Sequence, residues 1–298
     1  VGLAFYPVAA GGGRLRYPNA AEVNTINEQR LLAFELSPAL SVNLPHGVSL
    51  GLGYRVTFLR YNAQRGPVGD PVLLDMALRG TNFAGVRAGA QWRANEHWVL
   101  GASYRHQITL RATGEEGTAA EQRLTGVAGE VTVPAKAVLG ARMDYGPIGV
   151  AIDVDYIFNR QYEKVTLTGD LPDQGSRLEV DLVSRWKNTV TVHAGLEGRI
   201  QRFAIRAGYA FDQAASNRAF PSTFGSPPSH GHYATAGFGY MGERWKTNVA
   251  VSHRMSADVT LDDNEIDETA CGIFCASGGN YRSRLTGVLA DFSYQFAL

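Results

Sequence analysis

The sequence predicts an all-β fold, a transmembrane antiparallel up-and-down β-barrel with short turns at one end and long loops at the other. Three observations lead to this prediction. Long segments alternate between apolar and polar residues, which is the period of a β-strand. The connections between these segments alternate between short turns and long polar loops. The last segment carries the alternating aromatic residues Phe292, Tyr294 and Phe296.

The hairpin of residues 186–213 shows the alternation most clearly. One face of its first arm is apolar, and the other carries Thr191, His193 and Glu197. A soluble sandwich would turn the charged face to water, whereas a membrane barrel turns the apolar face to lipid and the charged face to the lumen. The unequal connections and the aromatic final strand favour the barrel. We therefore expect Val190, Val192, Leu196, Phe203, Ile205 and Tyr209 to face lipid.

Twelve strands can be read from the alternation, within a single domain of residues 1–298. Short turns follow the even-numbered strands and long loops follow the odd-numbered ones, which is the asymmetry between the periplasmic and outer ends of bacterial outer-membrane barrels. On the fifth strand we expect Ile108 and Leu110 to share the lipid face with Tyr104, and Arg105 and Arg111 to share the lumen face. The strands are predicted at residues 2–10, 30–43, 48–61, 77–93, 97–112, 126–144, 148–168, 177–200, 203–213, 232–240, 245–255 and 281–296.

Composition excludes several other classes. The 298 residues carry 28 basic and 28 acidic side chains, so the net charge gives no support for nucleic-acid binding. The mean hydropathy is −0.14, and there is no apolar run of about 18 residues that would predict a transmembrane helix. No signal peptide is visible and the sequence opens at Val1 inside a strand, so we expect a processed or truncated chain.

Several motifs, taken in their order and spacing, resemble the long-chain fatty-acid transporter (FadL/TodX) family of outer-membrane channels. The clearest are WKNT at residues 186–189, IRAGYAFDQ at 205–213 and HYATAGFGY at 232–240. SLGLGY at residues 49–54 and LGASYR at 100–105 are similar to the middle strands of that family. The final aromatic strand is similar to the assembly signal of outer-membrane proteins.

The resemblance implies fourteen strands and an N-terminal hatch, of which this sequence supplies twelve strands and no hatch. The first strand here aligns with the third strand of the family. We expect either that the hatch and first two strands were removed or that the barrel is shorter. The family's third strand has a kink that opens a lateral hole in the wall, and the matching candidates are Pro7, Gly11, Gly12 and Gly13. The alternative is that these residues begin the first long loop.

The predicted lumen carries many charged side chains, and most of them are expected to pair. Arg55 and Arg105 lie mid-strand and are the candidates for holding the carboxylate of a fatty acid. Catalysis is not expected, because Ser252 and His253 are adjacent on one strand and point to opposite faces. No cofactor or metal motif is present in the sequence.

The two cysteines, Cys271 and Cys275, lie in the long polar stretch of residues 257–280. In a cell-envelope protein this placement predicts a local disulfide within a loop.

These patterns lead to three functional hypotheses for a protein of the bacterial outer membrane. The first is a channel for passive uptake of hydrophobic molecules, either long-chain fatty acids or aromatic hydrocarbons, with lateral release through the wall. The second is a barrel that serves as a scaffold without transport, and the third is a general porin. The expected partners are membrane lipid, lipopolysaccharide and a hydrophobic small-molecule substrate, and detergent or fatty acid is expected in the lumen.

Overall fold

The computed structural model describes residues 2–18, 24–67, 74–119, 121–221, 228–267 and 278–294. These ranges form antiparallel strands and three short 3-10 turns, Pro45–Gly47, Asn159–Gln161 and Asp263–Glu265. No helix in this part of the chain is long and apolar enough to cross a membrane. The strands are β1 (Gly2–Pro18), β2 (Asn24–Asn43), β3 (Val48–Pro67), β4 (Leu74–Arg93), β5 (Trp98–Arg105), β6 (Ile108–Ala119), β7 (Gln122–Val133), β8 (Lys136–Tyr145), β9 (Ile148–Ile157), β10 (Lys164–Leu171), β11 (Ser176–Val183), β12 (Thr189–Ile200), β13 (Phe203–Asp212), β14 (Gly231–Met241), β15 (Trp245–Ser256), β16 (Val259–Leu261), β17 (Gly279–Tyr281) and β18 (Arg284–Tyr294).

All strands except the small β16–β17 hairpin belong to one antiparallel sheet in up-and-down order. Four of the predicted strands are divided into two stacked segments, which are β5 and β6, β7 and β8, β9 and β10, and β11 and β12. The wall therefore has twelve strand positions, with β1 and β18 at the two ends of the order. The predicted all-β, up-and-down fold is confirmed.

The two faces of β3 exchange their chemistry part-way along the strand. In its first half, Leu52 lies exposed on the outer face, whereas Arg55 is fully buried on the inner face. After Phe58 the pattern reverses, because Leu59 is buried inside and Arg60 is exposed outside. The first half therefore has the arrangement of a strand in lipid, and the second half has that of a strand in water.

The outer face of the first half forms a continuous apolar band. Such a patch is far larger than a protein tolerates against water, so lipid is its natural neighbour. Trp92, Trp98 and Trp245 lie exposed beside the short turns, where an aromatic girdle is expected. The band includes Leu50, Leu52, Val86, Leu100, Leu139, Ile152, Leu196, Ile205, Tyr209, Phe238, Val249, Val288 and Phe292.

The inner face of the second half forms a packed apolar cluster. Six strands, β2, β3, β4, β6, β7 and β10, contribute its side chains, and the partly buried Leu178 and Val180 of β11 pack against it. Leu110, Leu124 and Val127 are completely buried in it. We call this the outer apolar cluster, because it lies on the inner face toward the long-loop end. It consists of Ala33, Leu59, Tyr61, Ala63, Leu74, Met76, Leu78, Ile108, Leu110, Ala112, Leu124, Val127, Val131, Val165 and Leu167.

The break between β5 and β6 overturns one predicted face. Tyr104 lies exposed on the outer face as expected, but Ile108 and Leu110 are buried inside and Arg111 is exposed outside. Residues 106–107 interrupt the strand. The half of β4 nearer the short turn pairs with β5, and the half nearer the long loop pairs with β6. The assignment of Ile108, Leu110 and Arg111 from uninterrupted alternation was therefore wrong.

Two predictions concern the long connections. Gly11, Gly12 and Gly13 lie within β1, in regular pairing with Leu31, Arg30 and Gln29, rather than in a loop. Cys271 and Cys275 lie outside the described residues, so their disulfide stays a prediction.

Candidate functional site

A buried ion pair lies on the inner wall where its polar half meets its apolar half. Arg55 on β3 and Glu35 on β2 are both fully buried, and Arg55 Nε donates to Glu35 Oε2 at 2.7 Å. Arg55 Nη1 donates to the backbone oxygen of His106 at 2.9 Å. Arg55 Nη2 has no hydrogen-bond partner within the described ranges. The charge of Arg55 is thus balanced by Glu35, and its Nη2 is a buried donor.

Further cations continue this level of the wall across the next strands. Arg87 on β4 is the register partner of Arg105 on β5, which in turn is the register partner of Lys136 on β8. All three occupy the inner face, and Lys136 pairs with the buried Asp155. Gly53 makes room for Arg87, since a Cβ there would lie 2.8 Å from Arg87 Nε. We call Arg55, Arg87, Arg105 and Lys136 the basic row.

Arg105 reaches the backbone as well as the lumen. Its Nη2 lies 3.3 Å from the carbonyl oxygen of Pro134, at the break between β7 and β8. The sequence-predicted pair, Arg55 and Arg105, therefore lies at one level of the lumen, with Arg87 on the strand between them. The basic row borders the outer apolar cluster through Leu59 and Ile108, which follow Arg55 and Arg105 on the same walls. The outer apolar cluster lies toward the long loops and the basic row lies toward the short turns. This arrangement suits an amphipathic molecule, or an apolar molecule with one polar end.

Below the basic row, small residues leave a cavity of about 330 Å³ against β9, β12 and β13. Ala151, Gly195 and Gly208 supply bare backbone at its centre, and His193 lies at its edge. Gly195 and Gly208 are direct register partners, so two adjacent strands lack side chains at this point.

An ionic network crosses the inner wall next to the short turns. Glu197 is its centre and accepts from Arg142 at 2.9 Å, Arg199 at 2.7 Å and Arg206 at 2.5 Å. Arg142 also pairs with Asp144 at 2.8 Å. Three arginines share two carboxylates, so the network links β8, β12 and β13. Most of its charges are balanced within the network. We call these five residues the turn-side network.

The network extends toward the final strand through Asn248. Arg206 Nη1 donates to Asn248 Oδ1 at 2.7 Å, and Asn248 Nδ2 donates to Asp291 Oδ1 at 2.8 Å. The prediction that lumen charges mostly pair is met by these residues. Arg202 is different, because it lies exposed at the β12–β13 turn and its nearest acid is Glu243 at 3.6 Å.

The candidate lateral opening lies on β1. Its ladder with β2 shifts between Pro7 and Ala9, which pair with Phe34 and Ala33, so one residue of β1 is extra. Such an insertion is a β-bulge, and it bends the strand locally. The irregularity is at Val8, next to Pro7, whereas Gly11, Gly12 and Gly13 continue the regular ladder. The role of these four residues as a gate stays a prediction.

An up-and-down wall with an apolar outer band and an inner face of charged and apolar zones defines the class by its fold, an antiparallel β-barrel of the outer-membrane type. Comparison with known proteins agrees with this class. No protein-family model matches the sequence, and no curated protein is significantly similar to it. Solved structures of the FadL type are similar over nearly all of the chain, so the resemblance expected from the motifs is confirmed at the level of the fold.

Three structures illustrate the similarity. A FadL homologue of Pseudomonas aeruginosa is 15% identical, with a TM-score of 0.70 over 96% of this chain and 78% of that chain. The toluene transporter TbuX of Ralstonia pickettii is 13% identical, with a TM-score of 0.71 over 99% and 77%. The toluene transporter TodX of Pseudomonas putida is 14% identical, with a TM-score of 0.63 over 99% and 78%.

Sequence reasoning missed two residues of the site, Glu35 and Lys136. Glu35 was visible in principle, because it alternates with Leu32, Phe34 and Leu36 on the second strand. Its pairing with Arg55 depends on the β2–β3 register, which the residue pattern alone does not supply.

Proposed function

We propose that the protein is a passive channel of the bacterial outer membrane for hydrophobic small molecules. The observation that carries this proposal is the outer apolar cluster on the inner face, directly above the basic row. A general porin needs a polar path for water and sugars along its whole length. Among the described residues, the inner face of β2, β3, β4, β6, β7 and β10 presents the apolar cluster toward the long loops, and the basic row lies below it.

The packing supports one path for the substrate. The outer apolar cluster is closed, with Leu110 and Leu124 fully buried, so its side chains must part to admit a molecule. An apolar molecule that reaches the basic row meets the turn-side network below it, where it would have to disrupt ion pairs around Glu197. Lateral release beside the bulge at Pro7 and Ala9 avoids this obstacle and leads into the apolar band of the membrane.

The basic row would set the preference for the polar end of the substrate. Arg55 offers only Nη2 and is balanced by Glu35, so it suits a neutral oxygen as well as a carboxylate. Arg105, which has Arg87 and Lys136 as neighbours, is the stronger candidate for binding a carboxylate. Long-chain fatty acids and aromatic hydrocarbons are both compatible substrates. The similarity of the fold to toluene transporters supports the second group.

Uptake in cells tests this proposal. A strain that lacks the gene should take up labelled fatty acid or toluene more slowly than the parent, and the wild-type gene should restore the rate. Arg105→Gln should reduce fatty-acid uptake and leave toluene uptake unchanged, because toluene has no carboxylate. Arg123→Gln, an exposed arginine on β7, is the matched control. Equal uptake of both compounds by the deletion strain and the parent would refute transport and favour the scaffold hypothesis.

A further inference from the structure

Three arginines lie close together on the outer surface of the wall. Arg60 on β3 and Arg79 on β4 face each other directly across the ladder, and both are exposed. Arg111 on β6 is exposed on the same face, two residues from Thr113, which is the register partner of Arg79. All three line one depression of about 530 Å³. We call them the outer arginine cluster.

The charges of this cluster are not balanced by protein. Within the described ranges, Arg60, Arg79 and Arg111 form no hydrogen bond or ion pair. Glu130 on β7 is the register partner of Arg111 and is exposed, but the two are not in contact as an ion pair. Like charges directly across a ladder repel each other, so the pairing of Arg60 with Arg79 costs stability unless an anion lies between them.

The depression has the form of a binding site. Gly80 brings β4 close to β6, since a Cβ there would lie 2.5 Å from the backbone oxygen of Arg111. Thr81 and Thr113 place hydroxyl donors among the arginines, and Phe34 and Phe58 form its apolar lower edge. Guanidinium groups match the oxygens of a phosphate in geometry as well as in charge.

The height of the cluster identifies the source of the phosphate. The outer apolar residues of β3 run from Val48, beside the short turn, to Phe58, and Arg60 is the next outward residue. Ten steps of a strand tilted by about 45° rise by about 24 Å, which is the height of the apolar band of such barrels. Arg60 therefore lies at the level of the lipid head groups on the loop side, immediately above hydrocarbon.

We propose that the outer arginine cluster binds the phosphate group of a phosphorylated lipid in the outer leaflet, with the acyl chains of that lipid against Phe34, Phe58 and the apolar band. This site is on the opposite face of the wall from the lumen, so it does not depend on the proposed transport function.

The test is a melting-temperature titration of the purified barrel in detergent with three additives, which are diphosphorylated lipid A, the same lipid after enzymatic dephosphorylation, and inorganic phosphate. We expect the diphosphorylated lipid to raise the melting temperature of the wild type. Arg60→Gln and Arg79→Gln should each weaken its apparent affinity by about tenfold, the loss of one charge-assisted hydrogen bond. Arg177→Gln, which removes an exposed arginine paired with Asp170, is the control and should bind normally.

A second readout separates lost binding from a misfolded variant. Without lipid, Arg79→Gln should melt at the same temperature as the wild type or higher, because it removes the repulsion from Arg60. Equal stabilisation by the dephosphorylated lipid would refute the site, and so would unchanged affinity in both variants. Equal stabilisation by inorganic phosphate alone would show a free-phosphate site and overturn the assignment to lipid.

Discussion

Glu35 Oε2 and Arg55 Nε lie 2.7 Å apart in an ion pair that is completely shielded from solvent. The pair marks the level at which the inner wall changes from charged to apolar, because Leu59 of the outer apolar cluster follows Arg55 on the same strand. The lumen is therefore divided into two zones by the chemistry of one strand.

We expect the loss of one partner of this ion pair to destabilise the fold, because the other charge would then be buried without a counter-charge. Glu35→Gln leaves the guanidinium of Arg55 buried without a counter-charge, and we expect the free energy of unfolding to fall by about 3–5 kcal/mol. Glu35→Gln combined with Arg55→Met removes both charges and should recover most of that loss. Denaturant unfolding in detergent micelles measures the free energy of unfolding of both variants. An unchanged free energy of unfolding in Glu35→Gln would contradict the burial of the pair.

Glu197 is expected to keep ions out of the turn-side end of the lumen. Glu197→Gln leaves Arg142, Arg199 and Arg206 with Asp144 as the remaining carboxylate of their network. The excess positive charge should produce an anion-selective leak in planar bilayers, where the wild type conducts little. Glu243→Gln, at the exposed β14–β15 turn, is the control. Equal conductance of wild type and Glu197→Gln would count against a seal at this level.

The outer apolar cluster is expected to limit the rate of uptake. Leu110 is fully buried, so Leu110→Ala should cost about 2–5 kcal/mol of unfolding free energy and leave a cavity. A looser cluster opens more easily, so the variant should take up hydrophobic substrate faster despite its lower stability. Leu139→Ala on the lipid face, where the side chain is exposed, should change neither quantity much. Slower uptake by a correctly folded Leu110→Ala would show that the cluster does not gate the channel.

The long-loop end of the barrel should loosen in acid. Arg218 donates to Glu265 between two loop segments, and this hydrogen bond holds the pKa of Glu265 below its usual value. A lowered pKa in the folded state means that the link is complete above the ordinary pKa of glutamate and is lost as the pH falls through the folded value. The amide of Asp267, which donates to the Ala219 oxygen at 3.1 Å, reports on this link by hydrogen exchange.

Protection of the Asp267 amide, corrected for the intrinsic exchange rate, should decrease as the solution is acidified. Arg218→Gln should show the low protection already at neutral pH and little further change. A pH dependence that is the same in wild type and variant would assign the effect to other groups.

The alternation of residues predicted the strand positions well, because every side chain on the lipid half of a strand must obey it. The faces of Leu196, Ile205 and Glu197 follow from this rule alone. The outer halves of the strands were less predictable, since lipid no longer constrains them and their apolar residues turn inward. Ile108 and Leu110 changed face at a two-residue break that has no distinctive residue pattern.

The site was only partly visible in the sequence for a similar reason. Arg55 and Arg105 could be placed on the lumen face by alternation. The partnership of Arg55 with Glu35, and the pairing of Arg60 with Arg79 on the opposite face, depend on strand register. Register is set by packing between strands and by turn geometry, which the pattern within one strand does not contain.

The most direct measurement is solute flux into liposomes that contain the purified protein. The central claim, a channel for hydrophobic molecules with no polar path along its axis, predicts faster equilibration of toluene or a long-chain fatty acid than in protein-free liposomes. It also predicts no swelling of the same liposomes in an isotonic sugar solution. Rapid sugar flux without any effect on the hydrophobic solutes would contradict the claim and identify a general porin.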